Sequence, residues 1–458
     1  MSHLAVPVGS AVERMPVPEF LRIEPLSTFD GWARNHNLIH STRSPASVRR
    51  TYVSYLFLKN LPSPFWVSQT SFFVTWFSPF LSELAPLAIP LHSCSLSMHR
   101  SFSKLFQRMF FLGERDVHRA LGLQECLDVN RQALIAVTER TAFVPSRLGM
   151  PYPNNPNQPK STASAETAED WQLIKPATYY GKDSDIAMGM KVVGIRAANP
   201  SKGLPLVPAT ILLFNAETGI VEATIAGTYV TVARTSAGPA LAVQTFQPQA
   251  QHLVIFGAGA QSECHLEIMQ VALKRTIPKI TIVNRTRERA EALRDKLLAA
   301  SSRSDSPQEI DVLLLSDESG IEAALSTADV VAATTNTTTP LWKDGSVLKK
   351  GCLITGIGSY TPDMQEIPVS AVDRCHVIVD TPEAMEVGDL KHLGGSLEAA
   401  THPVTLAGDA WKDPSLVGKD TDCIFYKAVG TAIQDVMTAK SVVERAKQLG
   451  IGQEVDMG

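Results

Sequence analysis

A chain of 458 residues with 44% hydrophobic and 19% charged residues is long for one domain and has enough apolar residues for sizeable cores. Its net charge of -4 argues against nucleic acid as a partner. The six cysteines stand singly, without the paired spacing of a metal site, which is typical of a reducing compartment. We therefore expect a cytoplasmic globular protein of two or three domains without a metal site.

Residues 1–108 differ in composition from the rest of the chain. They hold 15 of the 31 aromatic residues, and 5 acidic against 10 basic side chains. The acid-free segment 33–50 is similar to a mitochondrial targeting sequence. The apolar segment 71–90 contains three prolines and Glu83, which argue against a membrane span. We predict an irregular extension over 1–108, or a start site assigned too early, with organelle targeting as the alternative.

A mixed α+β domain is predicted over 109–240. Apolar residues at helical spacing over 110–142 predict one or two helices. A strand is predicted over 185–195, and two β-branched runs over 209–227 predict a hairpin. The helix predicted over 234–246 ends this domain, and the amphipathic tail 424–450 predicts a long helix. We expect the tail, assigned to 425–458, to return and complete this domain.

Residues 241–424 alternate short apolar runs with helical segments. This alternation predicts a parallel sheet covered on both faces, and therefore a doubly wound Rossmann-type α/β fold. The apolar runs of this region begin at His252, Lys279, Asp311, Ala328, Cys352 and His376.

A glycine turn follows the first of these runs. Gly257, Gly259, Ala260, Gln261 and Ser262 form a G-x-G-x-x-S variant of the dinucleotide-binding turn. The first glycine permits the tight turn, the second admits the pyrophosphate to the backbone, and the following helix offers free N–H groups. We therefore predict that Gly257, Gly259, Ala260 and Gln261 bind a nicotinamide cofactor.

The end of the second run indicates which cofactor is preferred. NAD sites usually place an acidic residue there to accept a hydrogen bond from the ribose 2′-hydroxyl. This chain has Asn284, Arg285 and Thr286, followed by Arg287 and Arg289. Because a guanidinium pairs with phosphate through charge-assisted donors, we expect NADP (NADPH) in preference to NAD.

Seven segments in this order resemble the ornithine cyclodeaminase/mu-crystallin family, and the resemblance extends over about residues 110–452. The Asn284-Arg285-Thr286 sequence is similar to that of the NADPH-binding members. The segments are KVVGI, GTYVTVARTSAGPALA, IFGAGAQSECHLEI, IVNRTRERAE, ADVVAATTNTTTP, GIGSYTPDMQEI and YKAVGTAIQDVMTAK.

The resemblance implies a substrate pocket built from three cations. Arg147 and Arg234 match the arginines that bind the substrate carboxylate, and Lys191 matches the lysine close to the reacting carbon. It also implies that the 109–240 domain binds substrate and pairs with a second copy, so we expect a homodimer. A lysine is suited to the proton transfer, because its pKa shifts readily on burial.

Two positions depart from the family pattern. Ornithine cyclodeaminases carry an aspartate in the loop that here reads Thr335 to Thr339 without a carboxylate, and Ala428 replaces a frequent serine. The leading hypothesis is an NADP-dependent oxidoreductase that reduces ketimine carboxylates or oxidises the matching amino acids. The alternatives are a cyclodeaminase that recycles its NAD(P) and releases ammonia, and a mu-crystallin-like protein that binds NADPH and small molecules without turnover.

Overall fold

A computed structural model describes residues 108–152, 170–300, 309–418 and 420–457, all within one compact unit of the chain. The predictions for the N-terminal extension lie, up to residue 107, outside the described residues. Among the described helices, none combines the length and the apolar character needed to cross a bilayer.

The first sheet has eight strands and is largely antiparallel. Its strands are β1 (Arg108–Leu112), β2 (Ala142–Phe143), β3 (Leu148–Tyr152), β4 (Asp170–Tyr180), β5 (Ile186–Ile195), β6 (Ala209–Phe214), β7 (Val221–Ala226) and β16 (Gln453–Asp456). The strand order is β16-β1-β7-β6-β5-β4-β2, with β3 also paired to β4. Only the β1–β7 pair is parallel among the described pairs of this sheet.

The hairpin predicted over 209–227 is confirmed by the antiparallel pairing of β6 and β7. The side chain of Asn215 accepts hydrogen bonds from the backbone N–H groups of Glu217 and Thr218, which fixes the turn. The strand predicted over 185–195 is confirmed as β5. Strand β4 was not predicted, because Lys175 and Pro176 interrupt its apolar pattern.

The second sheet is parallel throughout its described pairs. Its strands are β8 (His252–Phe256), β9 (Lys279–Asn284), β10 (Glu309–Leu314), β11 (Val330–Ala333), β12 (Leu353–Gly356), β13 (Cys375–Val379), β14 (Val404–Leu406) and β15 (Cys423–Lys427). The strand order is β10-β9-β8-β11-β12-β15-β13-β14.

Both faces of this second sheet are buried. On β8, Leu253 and Ile255 belong to one apolar core, which also holds residues of the first sheet, whereas Val254 and Phe256 belong to a second core on the opposite face. Because successive side chains of a strand point to opposite faces, a strand covered on both sides is apolar throughout. The predicted doubly wound α/β fold is therefore confirmed.

Nine α-helices connect and cover the sheets within the described residues. Helix α3 begins six residues before its predicted start, so it contains the threonines that precede Arg234 as well as the predicted 234–246 segment. The helices are α1 (Glu114–Ala120), α2 (Leu123–Thr138), α3 (Thr228–Phe246), α4 (Ala260–Leu273), α5 (Arg287–Ala300), α6 (Glu318–Thr327), α7 (Val369–Val372), α8 (Ala407–Lys412) and α9 (Ala432–Leu449).

The tail corrects one prediction. The predicted helix over 424–450 is wrong at its start, because Cys423–Lys427 is strand β15, inserted between β12 and β13. The backbone turns at Gly430, and α9 begins only at Ala432. A short run of apolar sequence fits a buried strand as well as a helix, so periodicity could not separate the two. The predicted domain boundary at 424/425 falls inside β15, while the division itself stays a prediction.

Candidate active site

The three cations predicted from the sequence line one cavity of about 160 Å³. Lys191 lies on β5, Arg234 on α3, and Arg147 between β2 and β3. A fourth cation, Lys175 on β4, lies directly opposite Lys191 in the antiparallel ladder, so both side chains share one face of the sheet. Among the described residues that line the cavity there is no Asp or Glu. The structure thus brings the three predicted residues together, while their roles stay predictions.

A buried carboxylate behind the cavity holds these cations. Asp435, on α9, places its Oδ1 atom 2.6 Å from Lys191 Nζ and 2.8 Å from Arg234 Nε, and its Oδ2 atom 3.9 Å from Lys175 Nζ. The Nε–H of Arg234 is not aimed along a hydrogen bond, so this contact is an ion pair. Burial would raise the pKa of Asp435, but the three cations outweigh it and the pKa is lowered. Asp435 is therefore an anion at neutral pH.

The two lysines have pKa values below the ordinary lysine value. Burial, and next the neighbouring Arg234, lower the pKa of Lys191 to about 7, although Asp435 acts in the opposite direction. Lys191 also donates a hydrogen bond to Thr231 Oγ1 at 3.3 Å. The pKa of Lys175 is lowered well below its usual value by burial and by the charge of Lys191. A lysine that titrates near pH 7 can both give and take a proton in a neutral solution.

The loop after β15 closes one side of the cavity. The buried carboxylate of Asp380 accepts hydrogen bonds from the backbone N–H groups of Val429, at 3.1 Å, and Gly430, at 2.6 Å. The carbonyl of Gly430 in turn accepts a hydrogen bond from Lys175 Nζ at 2.9 Å. Gly430 has a φ of +76°, and a Cβ there would collide with the guanidinium of Arg234. Only glycine therefore allows this loop and Arg234 to approach so closely.

The predicted cofactor turn joins β8 to α4. Gly257 has a φ of +111°, and a Cβ there would lie 2.7 Å from Thr334 Oγ1, whereas a Cβ at Gly259 would meet open space. The backbone is thus open to a ligand at the N-terminus of a 14-residue helix. The side chain of Gln261, in the first turn of α4, lines the same cavity as Lys191. This geometry fits a dinucleotide whose reactive end reaches the four cations.

The segment predicted to select the cofactor lies at the end of β9. Asn284 Nδ2 donates a hydrogen bond to the carbonyl of Thr286 at 2.8 Å, which shapes the turn into α5. Arg285 and Arg289 are exposed. Within the described part of the chain neither has a carboxylate within 4.0 Å, whereas Arg287 Nη1 lies 3.9 Å from Glu291. The predicted preference for NADP stays a prediction here.

The loop that lacks the family aspartate is held by a carboxylate from elsewhere. Glu366 is buried, and its Oε1 atom accepts hydrogen bonds from the backbone N–H and the hydroxyl of Thr335, both at 2.7 Å. Its Oε2 atom accepts from the backbone N–H groups of Gly358 and Ser359. Glu366 does not line the cation cavity, so it supports the loop and does not replace the missing aspartate.

Two residues of this site were missed in the sequence. Asp435 is a charged residue on the buried face of an apolar helix, and such a residue almost always has a partner. Lys175 follows an apolar run and precedes Pro176, with no pattern around it that indicates a pocket. The charge on a buried helix face could have identified Asp435, whereas the pairing of β4 with β5 was needed to find Lys175.

Comparison with known proteins agrees with this arrangement. Residues 124–450 match the model of the ornithine cyclodeaminase/mu-crystallin family. The chain is 30% identical to an uncharacterized cyclodeaminase of Dictyostelium discoideum and 27% identical to a Δ1-pyrroline-2-carboxylate reductase of Bacillus cereus, in each case over 76% of this chain and 100% of the relative. The structure of Thermococcus litoralis Δ1-pyrroline-2-carboxylate reductase with NADH and L-proline superposes with a TM-score of 0.63 at 23% identity, over 76% of this chain and 100% of that one.

Proposed function

Because the chain belongs to the ornithine cyclodeaminase/mu-crystallin family, we propose that it is an NADP-dependent oxidoreductase that reduces small ketimine carboxylates or oxidises the matching amino acids. The observation that carries the proposal is the cavity in which Arg147, Lys191 and Arg234 meet beside Gln261 of the cofactor turn. A carboxylate-binding group, a proton donor and a cofactor site are thereby adjacent, as this reaction requires.

These cavity residues have different roles in imine reduction. Arg147 and Arg234 bind the substrate carboxylate and so fix the position of the imine carbon. When bound, the nicotinamide cofactor supplies a hydride to that carbon. Lys191 gives a proton to the imine nitrogen, so the C=N double bond becomes a C–N single bond with an N–H group. Asp435 holds Lys191 Nζ in place and favours its protonated form.

The preference for NADP is supported by the exposed arginines after β9. Arg285 and Arg289 have no carboxylate partner within 4.0 Å among the described residues, and the 284–286 segment contains no acidic group that would accept from a ribose 2′-hydroxyl. A 2′-phosphate there gains charge-assisted hydrogen bonds, whereas the 2′-hydroxyl of NAD finds no carboxylate in the 284–286 segment to accept its hydrogen bond.

A homodimer is the expected assembly. Large apolar side chains are exposed around the β2, β4 and β5 region of the first sheet: Phe143 at 63%, Tyr180 at 56% and Met188 at 39%. Exposed apolar residues grouped on one surface are typical of protein interfaces. Light scattering of the purified protein tests this assembly: twice the chain mass supports it, and the mass of one chain contradicts it.

Cyclodeamination is the second candidate, favoured by the similarity to the Dictyostelium discoideum protein named a cyclodeaminase. The loop from Thr335 to Thr339 offers no base for the substrate amino group, and Glu366 already accepts four hydrogen bonds away from the cavity. Thr and Asn side chains are not bases near neutral pH. The site therefore favours reduction over loss of ammonia.

The experiment is the oxidation of NADPH by the purified chain with Δ1-pyrroline-2-carboxylate and Δ1-piperideine-2-carboxylate at mildly acidic pH. We expect turnover with NADPH, slower turnover with NADH, and a loss of about 100-fold or more in Lys191→Met, the magnitude typical of a lost general acid. The exposed Lys343→Met variant is the matched control.

Two outcomes contradict the proposal. Stoichiometric ammonia release from ornithine without net NADPH consumption identifies a cyclodeaminase. NADPH binding without oxidation by any imine identifies a binding protein, the third hypothesis.

A further inference from the structure

A second, larger cavity of about 460 Å³ adjoins the cation cavity. Four residues line both spaces: Arg147, Lys175, Tyr360 and Gly430. Lys191 and Arg234 line only the smaller one. A substrate bound by Arg234 and Lys191 can therefore extend its side chain past Lys175 and Arg147 into the larger cavity.

The larger cavity has walls of different character. Trp171 and Tyr360 stack with ring centroids 6.1 Å apart and form an aromatic wall next to Lys175. Its carboxylates, Glu383 and Glu386, are exposed to solvent and stand at the rim. The charges closest to the passage between the cavities are thus those of the two cations.

Lys175 lacks a full set of partners. Its side chain is only 7% exposed, and its nearest carboxylate oxygen, Asp435 Oδ2, is 3.9 Å away and has no hydrogen-bond partner. Among the residues that the structure describes, Lys175 Nζ forms one hydrogen bond, at 2.9 Å to the carbonyl of Gly430. A protonated amine has three donors, and a buried cation without a close anion is strongly disfavoured.

With one substrate carboxylate bound, the cations of the site still outnumber its anions. Four cations face the smaller cavity, and the buried anions behind them are Asp435 and Asp380. Asp435 already holds Lys191 and Arg234, and Asp380 accepts from the backbone of the 429–430 loop. A substrate carboxylate bound by Arg147 and Arg234 leaves Lys175 with Asp435 Oδ2, at 3.9 Å, as its nearest anion.

We propose that the substrate carries a second carboxylate on its side chain and that Lys175 binds it, so that the substrate class is imino dicarboxylic acids and the matching amino dicarboxylic acids. This inference rests on the proposed function of the same cavity. The second carboxylate places an anion beside Lys175 Nζ, gives this amine a partner for its remaining donors, and raises its pKa from the lowered value of the free protein. A cationic side chain, as in ornithine, meets repulsion at the same place.

The test compares two 2-oxo acids of equal chain length, 2-oxoglutarate and 2-oxopentanoate, each with ammonia and NADPH. They differ only in the terminal carboxylate, so the ratio of their kcat/KM values isolates its contribution. We expect the wild-type ratio to favour 2-oxoglutarate by about 10- to 100-fold, the range of a charge-assisted hydrogen bond in a buried site. Lys175→Met should abolish this preference, and Lys175→Arg should retain most of it.

A merely structural role of Lys175 predicts a different result. It would lower both kcat/KM values together in Lys175→Met and leave their ratio unchanged, and this outcome overturns the proposal. Equal rates of the wild type with both 2-oxo acids overturn it as well. Lys343→Met, on the surface of the second sheet's domain, should leave the ratio unaltered.

Binding of unreactive analogues separates this inference from the proposed function. If the protein oxidises NADPH with no imine, the proposed reductase activity fails, and calorimetry with glutarate and pentanoate still tests the subsite. Tighter binding of glutarate that is lost in Lys175→Met supports the second-carboxylate site. Equal binding, or no binding of either analogue, overturns it.

Discussion

The cations in the two halves of the site differ in burial and in whether a carboxylate pairs with them. Lys191 and Arg234 are buried and held by Asp435 before any ligand arrives. Arg285 and Arg289, at the cofactor end, are exposed and have no carboxylate within 4.0 Å among the described residues. A buried cation destabilises the folded protein unless an anion lies close to it. An exposed cation is stabilised by water even when no ligand is bound. The ion pairs of Asp435 therefore contribute to folding stability, whereas replacement of Arg285 or Arg289 is expected to change only the affinity for the proposed cofactor.

The largest effect on stability and activity is expected when the buried ion pairs between Asp435 and its cations are removed. Asp435→Asn removes the anion shared by Lys191 and Arg234, and loss of one partner of a buried pair costs about 3 to 5 kcal/mol. We expect urea unfolding to show a destabilisation of that size, together with loss of imine reduction. Asp311→Asn is the matched control, because its carboxylate lies 3.1 Å from Lys279 at the surface and such pairs contribute about 1 kcal/mol or less. Similar losses of unfolding free energy in both variants would contradict the claim that the buried ion pairs of Asp435 contribute more to stability than an exposed pair.

The next prediction concerns the pH dependence of imine reduction and tests whether Lys191 is the proton donor. The pKa of Lys191 is about 7, so the lysine is protonated below that pH and neutral above it. Because reduction requires the protonated form, kcat/KM for the imine should be level at low pH and fall about tenfold per pH unit well above pH 7. Oxidation of the amino acid requires the neutral form and should rise over the same range.

A viable Asp435→Asn protein should show this fall at lower pH, because Asp435 raises the pKa of Lys191. A pH profile for reduction that stays level from about pH 5 to pH 9 in the wild type, with chemistry limiting the rate, would exclude Lys191 as the proton donor.

The smallest effect is expected at the exposed end. Arg285→Ala should raise the KM for NADPH by about 10-fold, leave the KM for NADH unaltered, and leave the unfolding free energy within experimental error. Arg294→Ala, on the helix that follows but paired with Asp295, is the control. An equal rise in both KM values would show that Arg285 does not bind the 2′-phosphate.

The sequence indicated the parts of the site that lie in strong local patterns. The glycine turn was predictable because an apolar strand, two glycines and a helix follow one another without interruption. Lys191 and Arg234 were predictable through their family segments and Arg147 through its place after the first helices, and the structure places all three around one cavity.

Residues brought together only by tertiary packing were not predictable in the same way. Asp435 reaches Lys191 from a helix 244 positions later in the chain. Lys175 lies beside Lys191 only because β4 pairs with β5. Strand β15 was assigned to a helix, because a short apolar run carries no periodicity that distinguishes the two. Local patterns thus predict elements and turns, whereas the charge balance of a buried site depends on the register between elements.

The most direct test of the central claim follows the hydride itself. The protein is incubated with NADPH deuterated at C4 on the transferred side and with Δ1-pyrroline-2-carboxylate, and the product is analysed by mass spectrometry. Imine reduction predicts proline with one deuterium on Cα for each NADPH consumed. Product without deuterium, or no product with either this imine or 2-oxoglutarate and ammonia while NADPH remains bound, would contradict the assignment of this chain as an imine reductase.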